Sequence, residues 1–421
     1  MRFFRGVALA CALLVVGIGA ASPAAAQGVG PATVGAATSA GKPIDGSKWL
    51  VIGDSNSTLN IDQVQGRSYT VFAPAMTKGK LFKQFSTATS GNRADQQYVK
   101  LTRLLTAGAR PTMASVMVGT NDISQGIPMA TWQANYKRIV NKLIQFGIEP
   151  VIMTLPPRSG PIRATAPAVV EDQWNAWLRG YANERGLAYV DVWKTVADPK
   201  TREFKTGYYT AKDGVHVNGY GQMMVAQEFV RVLAPRLKAV PAGSKQALAP
   251  SRTDTRNLLP NGVFRSTSTA GWVRYGRTNA EADSAAPGGY ALNLKGNASD
   301  GLSMLATKKL PAAGRFKAGN KMKIVLKSKI IDSGGNNSGT GLRLIVREWK
   351  GTKYVNAPTE YFGQNLENTA YLDHSWEWQL SPGTTAITLY WKYEEGPVSN
   401  RKIHAHLGGV GLYNLTALGK G

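Results

Sequence analysis

The order of apolar and polar positions divides the chain into two unlike parts. Trp49-Leu50-Val51-Ile52 is a short apolar run ending at Gly53, the pattern of a buried strand. Ala94 to Leu105 then repeats with helical spacing, placing Tyr98, Leu101 and Leu105 on one side. Met113 to Val118, Pro150 to Leu155 and Leu187 to Trp193 read as further strands. Thr131 to Phe146, Val169 to Glu184 and Gly221 to Leu237 read as helices between or after them. Strands alternating with helices predict a parallel sheet covered on both faces. Ligands of such sheets sit in the loops at the carboxyl ends of the strands.

Residues 239–256 break the rhythm with Val240-Pro241-Ala242-Gly243-Ser244 and Ala249-Pro250-Ser251-Arg252, and they read as a linker. Beyond it the period changes to two. Met322, Ile324, Leu326, Ser328 and Ile330 alternate with Lys321, Lys323, Val325, Lys327 and Lys329, which predicts a half-buried strand with a largely basic outer face. Leu342 to Glu348 and Ala386 to Tyr393 repeat the theme. Turns such as Gly334-Gly335-Asn336-Asn337 separate the strands, so this part is expected to be a β-sandwich.

The first residues carry a different pattern. Arg2 and Arg5 precede an unbroken apolar run from Gly6 to Ala20, and Ala24-Ala25-Ala26 supplies small residues before Gln27. This predicts a cleaved secretory leader over 1–26, a flexible segment over 27–46 and a secreted or periplasmic protein. The run is short for a membrane anchor, and no later stretch is apolar enough to span a bilayer. The single cysteine, Cys11, lies within that run, so thiolate catalysis and cysteine-ligated metal are excluded for the mature chain.

Composition adds little to the fold but changes the view of partners. The 421 residues are 43% hydrophobic and 18% charged, as in folded proteins. Their net charge of +24 suits a polyanion, or a solvated basic surface with no dedicated partner. For an exported protein an acidic polysaccharide or cell-wall polymer is the expected anion, and nucleic acid is not expected.

Three segments carry candidate chemistry. Gly53-Asp54-Ser55-Asn56 follows the first strand, where Ser55 would expose its hydroxyl and its N–H. A turn in which Asp54 or Ser55 merely caps a helix would look the same. Gly119-Thr120-Asn121-Asp122 follows the strand from Met113, where the Asn amide can donate to an oxyanion or close an Asx-turn. Asp213-Gly214-Val215-His216 precedes the last helix. Asp and His three apart in a loop can pair, and His216 is the sole histidine before residue 374. The order Ser, Asp, His lacks a G-x-S-x-G elbow, because Ser57 stands where the last Gly would be, which disfavours an α/β-hydrolase.

Together these blocks resemble the SGNH (GDSL-like) hydrolase superfamily over roughly residues 47–238. The resemblance implies a flavodoxin-like three-layer α/β/α domain, without cofactor or metal, acting as a serine esterase. It implies Ser55, Asp213 and His216 as catalytic triad, and Ser55, Gly91 and Asn121 as oxyanion hole, with Gly91 taken from Ser90-Gly91-Asn92. Asn56 departs from the Leu or Ile of many members and reads as non-chemical, leaving the substrate open.

The stretch from Asn257 to Phe264, followed by Gly271-Trp272, resembles the opening of jelly-roll carbohydrate-binding modules, so 257–421 is expected to be a jelly-roll-like sandwich. Trp349, Tyr354, Tyr361, Trp376, Trp378, Tyr390 and Trp391 are its candidate sugar-stacking rings, or its core. His404 and His406 share one strand face and read as a surface pair, since no third metal ligand is evident. The expected partner is an acylated polysaccharide or cell-wall glycan, and the expected reaction removal of its O-acetyl groups. Transfer of the acyl group to a glycan, a lipase or lysophospholipase, and a non-catalytic polymer-binding protein are the alternatives.

Overall fold

The structure is a computed structural model that describes residues 42–58, 68–160, 162, 168–210, 213–275, 278–297, 304–332, 341–356, 360–361, 369–394 and 402–420. The expected leader, most of the segment 27–46 and the turn at 334–337 lie outside these residues. Among the described residues no helix is long and apolar enough to cross a membrane.

Five parallel strands form the first sheet: β1 (Trp49–Gly53), β2 (Lys83–Ser86), β3 (Met113–Met117), β4 (Glu149–Met153) and β5 (Ala188–Val190). Their order is β2-β1-β3-β4-β5, the flavodoxin-like order whose loops open at the switch between β1 and β3. Among the described residues seven α-helices accompany them: α1 (Tyr69–Met76), α2 (Ala94–Thr106), α3 (Thr120–Ser124), α4 (Met129–Gln145), α5 (Ala168–Glu184), α6 (Val192–Val196) and α7 (Gly219–Leu233).

Every residue of β1 and β3 is buried, which is why both read as apolar-rich runs; the one polar side chain, Ser115 of β3, accepts from Trp49 Nε1. Trp49 and Val51 pack on one face with Tyr69 and Phe72 of α1, Val192 of α6 and Phe229 of α7. Leu50 and Ile52 pack on the other with Leu101 of α2, Trp132 of α4 and Leu178 of α5. The result is the three-layer α/β/α arrangement. The strand expected over Leu187 to Trp193 is shorter, because the Asp191 side chain accepts from the Lys194 N–H and starts α6.

Packing among the described residues begins before β1, at Ile44. Ile44 is buried and bonded to both Arg236 and Lys238, so the end of the segment 27–46 joins the first layer.

The rest is antiparallel. Its strands are β6 (Trp272–Tyr275), β7 (Thr278–Ala282), β8 (Tyr290–Asn297), β9 (Met304–Thr307), β10 (Leu310–Pro311), β11 (Lys321–Asp332), β12 (Gly341–Lys350), β13 (Lys353–Asn356), β14 (Glu360–Tyr361), β15 (Leu372–Gln379), β16 (Ala386–Glu394) and β17 (Lys402–Asn414). One sheet runs β15-β11-β17-β8-β7; the other runs β13-β12-β16-β9-β6, with β10 on β16 and β14 on β12. Leu292, Ile324, Leu326 and Leu412 of the first share a core with Leu305, Leu344, Leu389 and Trp391 of the second. Among the candidate stacking rings, Trp378 and Trp391 are therefore core residues. The side chain of Tyr361 lies outside the described residues.

The alternation along β11 is as expected, but its basic face is not open. Residues 245–249 fold back over it. Val325 is buried with Leu248, Tyr413 and Leu415, and Lys323 is 2% exposed with its Nζ donating to the Lys245 carbonyl. Lys321 and Lys245 pair with Glu377, Lys327 with Asp373, and Lys329 with Asp283. A lysine-rich strand thus faces mostly its own chain. Covering it required acids on β15 and a returning segment that the strand's own sequence does not announce.

Candidate active site

Ser55 stands in the turn directly after β1. Gly53 is required there for close approach, because a Cβ would fall 2.2 Å from Ser57 Oγ. Residues 55–58 form a turn, with the N–H groups of Ser57 and Thr58 donating to the Asp54 carbonyl, and among the described residues the first helix is the one from Tyr69. Ser55 therefore does not open a helix directly. Asp54 is buried behind it, with Oδ1 accepting from the Asn56 N–H. Burial raises its carboxyl to about 6, against the pull of that N–H and of His216.

His216 is brought to Ser55 from far along the chain. Its Nε2 lies 2.8 Å from Ser55 Oγ and its Nδ1 lies 2.8 Å from Asp213 Oδ2. Asp213 Oδ1 also accepts from the N–H groups of Val215 and His216. Partial burial disfavours the Asp213 charge, but these bonds, led by the imidazole, hold its carboxyl below the usual range. Gly214 makes the bend possible: its φ is +65°, and a Cβ would lie 2.0 Å from the Ser159 carbonyl. His216 and Asp213 keep 24% and 38% of their side chains exposed, so the constellation opens to solvent.

The other two blocks reach the same edge of the sheet. The Thr89 N–H donates to the Gly53 carbonyl, which lays the loop bearing Gly91 beside the end of β1. Asn121 Nδ2 donates to the Asn92 carbonyl, next to Gly91. One amide hydrogen of Asn121 is thus used to aim the side chain and the second is left to donate. Among the described residues, the N–H groups of Ser55 and Gly91 donate to no protein acceptor.

Several residues that position this site were not legible as such. Asn56 is buried and grips both neighbours of His216: its Oδ1 accepts from the Val217 N–H at 3.0 Å and its Nδ2 donates to the Val215 carbonyl at 3.4 Å. The residue read as non-chemical is a clamp between the Ser55 turn and the histidine loop. Gln97 Nε2 holds the Gly53 carbonyl. Buried Arg158 donates to the Thr120 carbonyl and Ser124 Oγ of α3, and pairs with buried Glu171. Asp122 accepts from the Ala94 N–H at the start of α2, and burial raises its carboxyl to about 7. A sequence shows the polar type of these residues but not the partner each meets.

Residues 51–223 match the model of the GDSL-like Lipase/Acylhydrolase family. The α/β part is accordingly a GDSL-like lipase/acylhydrolase domain, and the chain an enzyme of the ester-cleaving class. Similar solved structures include a lipolytic protein of the G-D-S-L family from Desulfitobacterium hafniense, at 20% identity over 44% of this chain and 99% of that one, with a TM-score of 0.38. An esterase from Pseudoalteromonas aligns at 16% identity over 45% of this chain and 97% of its own, with a TM-score of 0.37. An acetyl-xylooligosaccharide esterase from Geobacillus aligns at 19% identity over 46% and 96%, also with a TM-score of 0.37. No curated protein matches the chain.

Proposed function

We propose that the protein is an exported serine acetylesterase that removes O-acetyl groups from a polysaccharide or cell-wall glycan. The observation that carries this reading is the Ser55–His216–Asp213 relay, with both links at 2.8 Å in an arrangement open to solvent. An open relay accommodates a polymer, whose chain must run past the attacked ester on both sides.

Asp213 fixes the imidazole with Nδ1–H toward its carboxylate, leaving the Nε2 lone pair on the Ser55 hydroxyl. His216 takes the hydroxyl proton as Oγ attacks the acetyl carbonyl. The N–H groups of Ser55 and Gly91 and the Asn121 amide receive the oxyanion. His216 returns the proton to the departing sugar oxygen, and water then releases acetate by the same steps.

The sandwich supplies support for a sugar partner. Trp349, Arg347, Tyr354 and Tyr390 share the outward face of the sheet containing β12, with Tyr354 44% exposed. Arg347 lies over the rings of Tyr354 and Tyr390, and Lys309 over Trp349. These cations occupy ring faces, so a glycan would lie along the ring edges and the remaining faces.

Hydrolysis of p-nitrophenyl esters from acetate to long acyl chains, with Ser55→Ala beside the wild type, tests the reading. Release of acetate well above that of long acyl groups, reduced at least 10⁴-fold in Ser55→Ala, is expected. An optimum at long chains would replace acetylesterase by lipase, and an unimpaired Ser55→Ala would remove the relay from the mechanism.

A further inference from the structure

The outward face of the sheet containing β17 carries a cluster that the esterase reaction does not use. His404 and His406 lie two apart on β17, and Glu281 reaches them from β7 across the intervening β8. His406 Nε2 is 3.2 Å from His404 Nε2 and 2.8 Å from Glu281 Oε1, and all three atoms lie within 4.8 Å of one another. The missing third ligand of the histidine pair is thus present, 123 positions upstream of His404.

The surroundings aim each donor inward. Asp283 Oδ2 accepts from Lys329 Nζ, from the Tyr371 hydroxyl and from His406 Nδ1. With a proton on Nδ1 for Asp283, His406 presents the Nε2 lone pair to Glu281 and His404. Buried Asn293 donates to Glu281 Oε2 at 2.7 Å, which turns Oε1 toward the histidines, and Lys295 lies 3.5 Å from the Oε2 side. Carboxylate–histidine pairs and oriented carboxylates of this kind are the outer shell of metal centres. A nitrogen lone pair 2.8 Å from a carboxylate oxygen is repulsive unless a positive charge lies between them.

We propose that Glu281, His404 and His406 form a zinc site that staples β7 to β17. Two imidazoles and one carboxylate are a donor set of zinc and of other first-row transition metals, whereas magnesium and calcium take oxygen. Ligands about 2.0 Å from a tetrahedral ion stand about 3.3 Å apart, close to the 3.2 Å between the two imidazole nitrogens. Three protein ligands leave one position for water or a ligand hydroxyl. Zinc here would fix the edge strand β7, which otherwise pairs only with β8.

The test is calorimetric titration of the full chain with Zn²⁺ after chelator dialysis, paired with thermal unfolding with and without the ion. One equivalent of zinc is expected to bind saturably and to raise Tm, with Mg²⁺ unable to compete. Glu281→Gln and His404→Gln should each weaken binding at least 100-fold and abolish the Tm rise. Asp283→Asn, which releases His406 Nδ1, should weaken it about 10–100-fold. Absence of saturable binding in the wild type, with Tm unmoved by zinc, would overturn the site. Retention of wild-type affinity in both Glu281→Gln and His404→Gln would place the ion elsewhere and equally overturn it.

Discussion

In the α/β part the reactive groups stand outside the strands, whereas in the sandwich the polar clusters are built within them. Ser55, Gly91 and His216 lie on loops and Asn121 in the short α3, at one edge of a sheet whose central strands β1 and β3 are buried throughout. Glu281, Asn293, His404 and His406 sit inside β7, β8 and β17, and the face opposite them carries the buried Leu292, Leu294 and Ala405. A parallel sheet buried on both faces has no side-chain positions to spare, so its chemistry moves to the ends. An antiparallel sheet with one solvated face can carry polar groups along its whole length. The difference teaches where to search: by motif in the first part, and by register in the second.

The largest effect that would break this comparison lies at α3. Asn121→Ala removes the proposed oxyanion amide while leaving the relay of Ser55, His216 and Asp213 untouched. A fall of about 10²–10³ in kcat on p-nitrophenyl acetate is expected. Trp349→Ala, on the far-reaching outer face of β12, should leave that small-ester rate unchanged. A variant of Asn121 with full activity would show that the loop edge is less than the complete site.

What was legible follows from the same contrast. The Gly53-Asp54-Ser55, Gly119-x-Asn121-Asp122 and Asp213-x-x-His216 blocks are contiguous, so their chemistry could be read without coordinates. Strands β3, β4 and β5 were legible because each lies in an apolar-rich run, whereas β2, Lys83-Gln84-Phe85-Ser86, is mostly polar and was not read as a strand. The third ligand of the histidine pair was not, because Glu281 meets His406 only through the pairing of β7 with β8 and of β8 with β17. Lys323 was read as outward for the same reason: nothing in β11 tells that residues 245–249 return to cover it. Asn56 was read by its family departure alone, and its two bonds to the His216 loop span about 160 residues.

Asn56 gives the next effect in size. Asn56→Leu restores the apolar type common in the resembling family but leaves the buried Val217 N–H without its acceptor. An unmet buried donor costs about 1–3 kcal/mol, and here the strain falls on the loop that aims His216. A loss of about tenfold in kcat with little change in KM is expected, together with a displaced acid limb of the kcat–pH profile. A drop in Tm with kcat and the profile unchanged would make Asn56 a purely structural clamp.

The smallest effect concerns the covered lysine of the sandwich. Burial lowers the Lys323 ammonium to about 8, against the attraction of Glu377. At this residue the folded chain therefore holds fewer protons than the unfolded one between about pH 8 and 10.5, and the Lys323 contribution to stability rises with pH across that window. Below pH 8 the cost of the buried charge is fully present. The shift from 10.5 to about 8 corresponds to roughly 3 kcal/mol at 1.36 kcal/mol per unit. Lys323→Met removes that cost and forfeits one hydrogen bond to the Lys245 carbonyl, worth about 1 kcal/mol. Thermal unfolding should therefore find Lys323→Met a few degrees more stable at pH 7, with the advantage shrinking toward pH 10. An offset that stays constant across pH would trace the gain to packing and not to charge, and the returning segment would then cover a lysine at no electrostatic cost.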